Sequence, residues 1–122
     1  MELQVDGRTV FAATGGKPFD ASLPAVVFVH GAGMDHTVWA MQTRWFAWHG
    51  RSVLAIDLPG HGKSDGPVLT TIGDIGAWLV RLIEASGAGS ASLVGHSLGA
   101  LASLSAAATG GDRVSGLALL GI

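Results

Sequence analysis

Residues 90–103 read SASLVGHSLGALAS. A short, mostly apolar run leads into Gly95, Ser97 stands between Gly95 and Gly99, and a series of small residues follows. A strand that runs straight into a tight turn, with a helix leaving it, sets a serine at the C-terminal edge of a sheet. The flanking glycines give such a turn room to form. The helix beyond offers unpaired N–H groups and the positive end of its dipole. The reading of the whole chain depends on whether its surroundings supply that sheet.

The bare pattern G-x-S-x-G is weak evidence, because it occurs twice. Gly62-Lys63-Ser64-Asp65-Gly66 is the second match. Ser64, however, lies several residues past the nearest apolar run, beyond Pro59, with Pro67 close behind. It reads as a turn residue or local cap, whereas Ser97 has a strand before it and a helix after it.

Working outward, AVVFV (25–29) and SVLAI (52–56) read as strands buried on both faces, like SASLV (90–94). Residues 2–13 alternate around Asp6-Gly7, which predicts a hairpin. Residues 37–49 read as a helix, with Val38, Met41, Trp45 and Trp48 near helical spacing, Thr37 as cap and Gly50 as stop. A second helix is predicted over 70–86, with Ile72, Ile75, Trp78, Leu79, Leu82 and Ile83 on one side, although Gly73 and Gly76 weaken it. Residues 98–109 form a small-residue helix, and VSGLALLGI (114–122) begins as a fourth buried strand. The alternation predicts an α/β fold: a mainly parallel sheet with helices on both faces, begun by a β-hairpin.

Composition narrows the function classes. Charged residues are 13% of the 122, about half of the ~25% usual for a soluble domain. Mean hydropathy is +0.46. A free-standing domain of this size covers itself with charge, so the chain reads as one that packs against something large or is part of a longer unit. A net charge of −2 gives no nucleic-acid surface. There is no cysteine, hence no disulfide or thiolate metal site. The first residues lack the basic start and apolar block of a signal peptide, and no stretch reaches the ~18 apolar residues of a membrane span. A cytoplasmic protein is the default expectation.

If Ser97 attacks a carbonyl, the developing oxyanion needs donors placed in advance. The N–H after the nucleophile, that of Leu98, is one. The other is expected from a loop ending a neighbouring strand, and HGAG (30–33) follows AVVFV directly. Ala32 N–H is the first candidate there and Gly33 the second. Three stretches in this order, VFVHGAGMD, DLPGHGKSDG and LVGHSLGA, resemble the N-terminal half of an α/β-hydrolase, and with the strand–helix spacing they cover nearly the whole chain. HGAG followed by GHSLG resembles serine esterases and monoacylglycerol-lipase-like members. That resemblance implies oxyanion donors from Ala32 and Leu98, no cofactor, and a small-molecule ester-like substrate. It also places DLPGHGKSDG near the rim of the site, where Asp57 and Ser64 are expected to order the turn. Met34, Trp39 and Leu98, together with Gly33, are candidate substrate-lining residues.

A serine needs a general base, normally a histidine held by a carboxylate. In α/β-hydrolases the order is serine, acid, histidine. After Ser97 the chain has one acidic residue, Asp112, and no histidine. All five histidines, 30, 36, 49, 61 and 96, precede it. His30 reads as structural, His36 and His49 as exposed helix-bracketing residues, His61 as a turn residue, and His96 as diverging from its neighbour. No tight metal-ligand spacing occurs. The base and acid are therefore expected outside this sequence, on a C-terminal half or a companion chain. The leading expectation is a serine hydrolase of an ester, lactone or similar acyl bond, as a fragment inactive alone. The alternatives are a non-catalytic binding module or one subunit of a split hydrolase, and perhydrolase or C–C hydrolase chemistry on the same fold.

Overall fold

A computed structural model describes residues 1–122. The hairpin forms as predicted: β1 (Glu2–Val5) and β2 (Arg8–Ala13) pair antiparallel around Asp6-Gly7. Strands β3 (Ala25–Val29), β4 (Ser52–Ile56), β5 (Ala91–His96) and β6 (Val114–Leu120) are mutually parallel. The sheet order is β1-β2-β4-β3-β5-β6. β3 and β4 are buried at every residue. They send alternate side chains into two cores, as a strand covered on both sides must.

On one face Val27, Val29, Leu54, Ile56 and Leu93 pack with the hairpin and with α2 (Ile72–Ser86) and α3 (Leu98–Gly110). On the other face Val26, Phe28, Val53 and Ala55 pack under Trp39 and Ala47. α2 starts where Thr71 accepts from Asp74 N–H and stops at Gly87, whose φ of +83° suits glycine. Gly76 lets it approach α3 closely, since a Cβ there would stand 2.7 Å from Ser105 Oγ. Ile72, expected on the buried face, is 39% exposed at the first turn.

Three expectations need correction. The first helix opens with a 3-10 turn, His36–Trp39, before α1 (Ala40–Ala47). Its cap is Asp35, whose carboxylate takes both the N–H and the hydroxyl of Thr37. Its buried face is Trp39, Thr43 and Ala47 rather than the predicted stripe. Val38, Met41, Trp45 and Trp48 are 47%, 83%, 57% and 53% exposed. Finally, β6 is not buried. It has β5 on one side only; none of its seven residues is buried and four are exposed. No helix is long and apolar enough to cross a membrane.

Candidate active site

β5 runs without interruption into Ser97, and α3 begins at the next residue. Ser97 sits at φ 55°, ψ −116°, one of only two non-glycine residues with positive φ. Such a conformation costs of order 1–3 kcal/mol and persists only where its surroundings impose it. Here they do. Ser97 N–H donates to Leu120 O of β6 at 2.9 Å, and Ser97 O accepts from Ala100 and Leu101 at 3.0 and 3.2 Å. The glycines on either side are sterically required. A Cβ on Gly95 would stand 2.3 Å from Gly99 O, and one on Gly99 would stand 2.2 Å from Val29 O. Ser97 itself is exposed.

The loop after β3 lies against this turn. A Cβ on Gly31 would touch Ser97 Cβ at 3.4 Å and the His96 ring at 3.5 Å. Beyond it, Gly31 O accepts from Met34 N–H at 3.2 Å, which closes a tight turn over Ala32 and Gly33. Ala32 and Gly33 are exposed, and neither N–H donates within the chain. Leu98 is the first residue of α3, where the N–H groups have no intrahelical acceptor. Unspent donors thus flank the serine from two loops. The side chain of Leu98 turns away and packs against the α2–α3 core.

Met34 and Trp39 do line a cavity, of about 330 Å³, together with Val38, His96 and Leu120. Gly33 is not among its walls. It has open space where a Cβ would stand, at a φ of +74°. Val38, His96 and Leu120 are walls that sequence reasoning missed. Val38 was assigned to the buried helix face, and Leu120 reaches the site only through the β5–β6 pairing.

The loop after β4 is ordered as anticipated, with one addition. Asp57 is fully buried. Its carboxylate accepts from His36 N–H at 2.7 Å and from Lys63 N–H at 2.8 Å. Ser64 Oγ donates to Asp57 O and accepts from Phe11 N–H, which ties the loop to β2. The addition is His36. It is not free at the helix start but pairs through Nδ1 with Asp57 Oδ1 at 2.9 Å. Asp35, His36 and Asp57 bring their ligand-type atoms within 4.8 Å of one another. Both Asp57 oxygens already accept backbone N–H groups, and Asp35 Oδ1 holds Thr37.

The other histidines divide clearly. His30 is buried. Its Nδ1 faces Gly31 O at 2.7 Å and its Nε2 accepts from Leu58 N–H at 3.0 Å, which fixes the neutral tautomer. Burial accordingly pushes its pKa below the ordinary 6.5, against a smaller upward pull from the Gly31 hydrogen bond. His49 faces Trp45 O and His61 faces Pro59 O. His96 has no ring partner and adjoins Ser97 in sequence.

Comparison with known proteins agrees with this architecture. Residues 24–122 match the family model described as alpha/beta hydrolase fold. The chain is 32% identical over 96 residues to (E)-2-((N-methylformamido)methylene)succinate hydrolase of Acinetobacter baylyi, covering 78% of this chain and 36% of that protein. It is 38% identical over 102 residues to 2-hydroxy-6-oxononadienedioate/2-hydroxy-6-oxononatrienedioate hydrolase of Burkholderia vietnamiensis, covering 80% and 35%. Among solved structures, epoxide hydrolase A of Mycobacterium thermoresistibile superposes with a TM-score of 0.86 at 28% identity, over 98% of this chain and 37% of that one. The chain therefore spans about a third of the length of these relatives. With its mixed sheet of six strands opened by an antiparallel hairpin, and a family match over most of its length, the chain belongs to the α/β hydrolase fold family.

Proposed function

We propose that residues 1–122 are the nucleophile-bearing part of a serine hydrolase that works through an acyl-enzyme on Ser97. The observation that carries this reading is the forced backbone of Ser97, pressed between β5 and α3 with the Gly31 loop against its Cβ. Ser97 Oγ attacks the substrate carbonyl carbon. The oxyanion that forms is held by the N–H groups of Ala32 and Leu98. The leaving group departs with a proton, and water then releases the acid.

The general base and its acid lie outside this sequence. Four histidines have ring nitrogens committed to other partners. His96 precedes the serine directly, on a backbone that turns sharply between them. The unpaired edge of β6 is the place where further strands, from a longer chain or a companion, continue the sheet. The substrate is a small molecule with an acyl carbonyl, and no cofactor is needed.

A second reading, cleavage of a carbon–carbon bond next to a carbonyl, is favoured by likeness to the Burkholderia dioate hydrolase. It uses the same serine and oxyanion donors. A binding-only role would leave the strain at Ser97 without a use.

The test is ester turnover with p-nitrophenyl butyrate. The isolated chain is expected to turn over no faster than its Ser97→Ala variant. Residues 1–122 joined to the remaining two-thirds of the dioate hydrolase are expected to show turnover that Ser97→Ala abolishes. Turnover by that chimera that survives Ser97→Ala would overturn the proposal.

A further inference from the structure

The outward face of α1 joins apolar and cationic side chains. Met41 and Trp45, with Trp48 at the C-terminal end, stand on the side of the helix away from buried Trp39, Thr43 and Ala47, and all three are exposed. They point away from the sheet, so strands added beyond β6 extend beside them and not over them. Arg44 and His49 line one open depression with them. Trp45 stacks on the His49 ring with centroids 4.0 Å apart. Trp48 is flanked by two cations: Lys17 Nζ lies 4.3 Å from its ring centroid and the Arg44 guanidinium 5.8 Å.

Charge is divided across the molecule. No aspartate or glutamate occurs between Asp6 and Asp20 or between Asp35 and Asp57. Asp57 is buried, and Asp20 and Asp35 are bonded to Ser22 and Thr37. Arg81 and Arg113 pair with Asp6 and Glu84, whereas Lys17, Arg44 and Arg51 pair with no carboxylate. Asp74 and Glu84 belong to α2, on the opposite face of the sheet, and Asp112 follows α3 there. A chain of net charge −2 thus carries one locally cationic face. The apolar surface also has a direction. Val38, three residues before Met41, is exposed and is a wall of the cavity beside Ser97.

We propose that this face of α1 docks on an anionic lipid surface. Met41, Trp45 and Trp48 enter the boundary between headgroups and acyl chains, where indole rings are favoured, and Lys17 and Arg44 lie against lipid phosphates. The two cations flanking Trp48 decide for lipid over a second copy of the chain. Two copies meeting through this face would set Lys17 and Arg44 against like charge, with no carboxylate on the face to answer them. The docking stands apart from the acyl-transfer reading; under that reading it turns the mouth of the cavity toward lipid.

The experiment is cosedimentation of the full chain with vesicles of phosphatidylcholine alone, or of phosphatidylcholine and phosphatidylglycerol in equal parts. Trp39 and Trp78 are buried, so a blue shift of tryptophan emission reports Trp45 and Trp48. The mixed vesicles are expected to bind the chain with a blue shift, roughly tenfold or more tighter than phosphatidylcholine alone. Lys17→Gln and Arg44→Gln should each weaken that binding roughly fivefold. Replacing Trp45 and Trp48 together by Gln should abolish the shift and weaken binding roughly tenfold. Arg8→Gln removes the same charge from the hairpin and should change binding by no more than about twofold. Equal weakening by Arg8→Gln and Arg44→Gln, or equal binding to the two kinds of vesicle, overturns the proposal. So does a lipid-free dimer in sedimentation equilibrium that Trp45→Gln disperses, since a second copy then covers the face. Residues 1–122 joined to the remainder of the dioate hydrolase should bind as the chain does. Loss of binding in that folded chimera would assign the face to cover within a longer fold, and would likewise overturn the proposal. None of these readouts passes through Ser97, so they leave the hydrolase reading to its own test.

Discussion

Gly99 lies so close to Val29 that a single added carbon would stand 2.2 Å from the Val29 carbonyl oxygen. Helix α3 thus meets β3 backbone to backbone directly beneath the serine turn. The obstacle is main chain, which cannot swing aside as a side chain can. Gly99→Ala is expected to destabilise the fold by about 1–3 kcal/mol or more through overpacking. Urea denaturation would register it as a lower midpoint at unchanged slope. Gly73→Ala is the control: open space surrounds Gly73, in the first turn of α2, so its replacement should be neutral or slightly stabilising.

The backbone of Ser97 carries a conformational cost that glycine would not. Ser97→Gly is expected to raise stability by about 1 kcal/mol, the strain relieved less the extra freedom glycine gains on unfolding. Ser97→Ala keeps the Cβ and should change stability little. Equal midpoints for the glycine and alanine variants would show that the turn is not strained.

Asp57 organises the loop after β4 from inside. Asp57→Ala would strand the N–H groups of His36 and Lys63, at roughly 1–3 kcal/mol for each donor left dry. His36→Phe should cost less. It keeps both backbone bonds to the carboxylate, and an aromatic ring still meets Phe11, now 4.8 Å from the imidazole. If the two variants unfold at the same denaturant concentration, the side-chain pair matters more than the backbone donors.

His30 gives the fold a pH dependence of known sign. Its folded pKa lies below the ordinary 6.5 because burial disfavours the imidazolium. The unfolded chain therefore takes up a proton that the folded chain refuses. The stability His30 contributes is complete above about pH 6.5 and is lost as pH falls from there toward its folded value, with a slope of up to about 1.4 kcal/mol per pH unit. His30→Gln should remove that slope. Parallel pH profiles for the two proteins would place the titration elsewhere.

The exposed stripe of α1 can be tested directly. Met41→Gln and Trp45→Gln are expected to fall within about 0.5 kcal/mol of the parent. Trp39→Ala, six residues earlier than Trp45 and buried, should cost about 3–5 kcal/mol. Large losses at Met41 and Trp45 would restore the helix face expected from the sequence.

That face shows where sequence reading stops. Val38, Met41, Trp45 and Trp48 are spaced as well as any buried stripe, and so are Trp39, Thr43 and Ala47. Hydrophobicity favours the first set. The 3-10 turn over His36–Trp39, wound at three residues per turn, instead sets Trp39 against Phe28. The strands were legible because apolar runs such as AVVFV have no other reading between turn signals. The serine turn was legible because strand, glycines and helix are consecutive. The sheet order was not, since it depends on crossovers between distant segments. Nor was the pairing of His36 with Asp57, 21 residues apart, or the place of Leu120 beside His96. The burial expected of β6 failed for a related reason: its apolar residues look the same whether or not a neighbour covers them.

Ser97 N–H is held by the carbonyl of Leu120, 23 residues downstream and on the outermost strand. During synthesis from the N-terminus, the serine turn lacks this hydrogen bond until residue 120 has emerged and paired. Anything that frays or captures β6 will reach the serine through that one hydrogen bond.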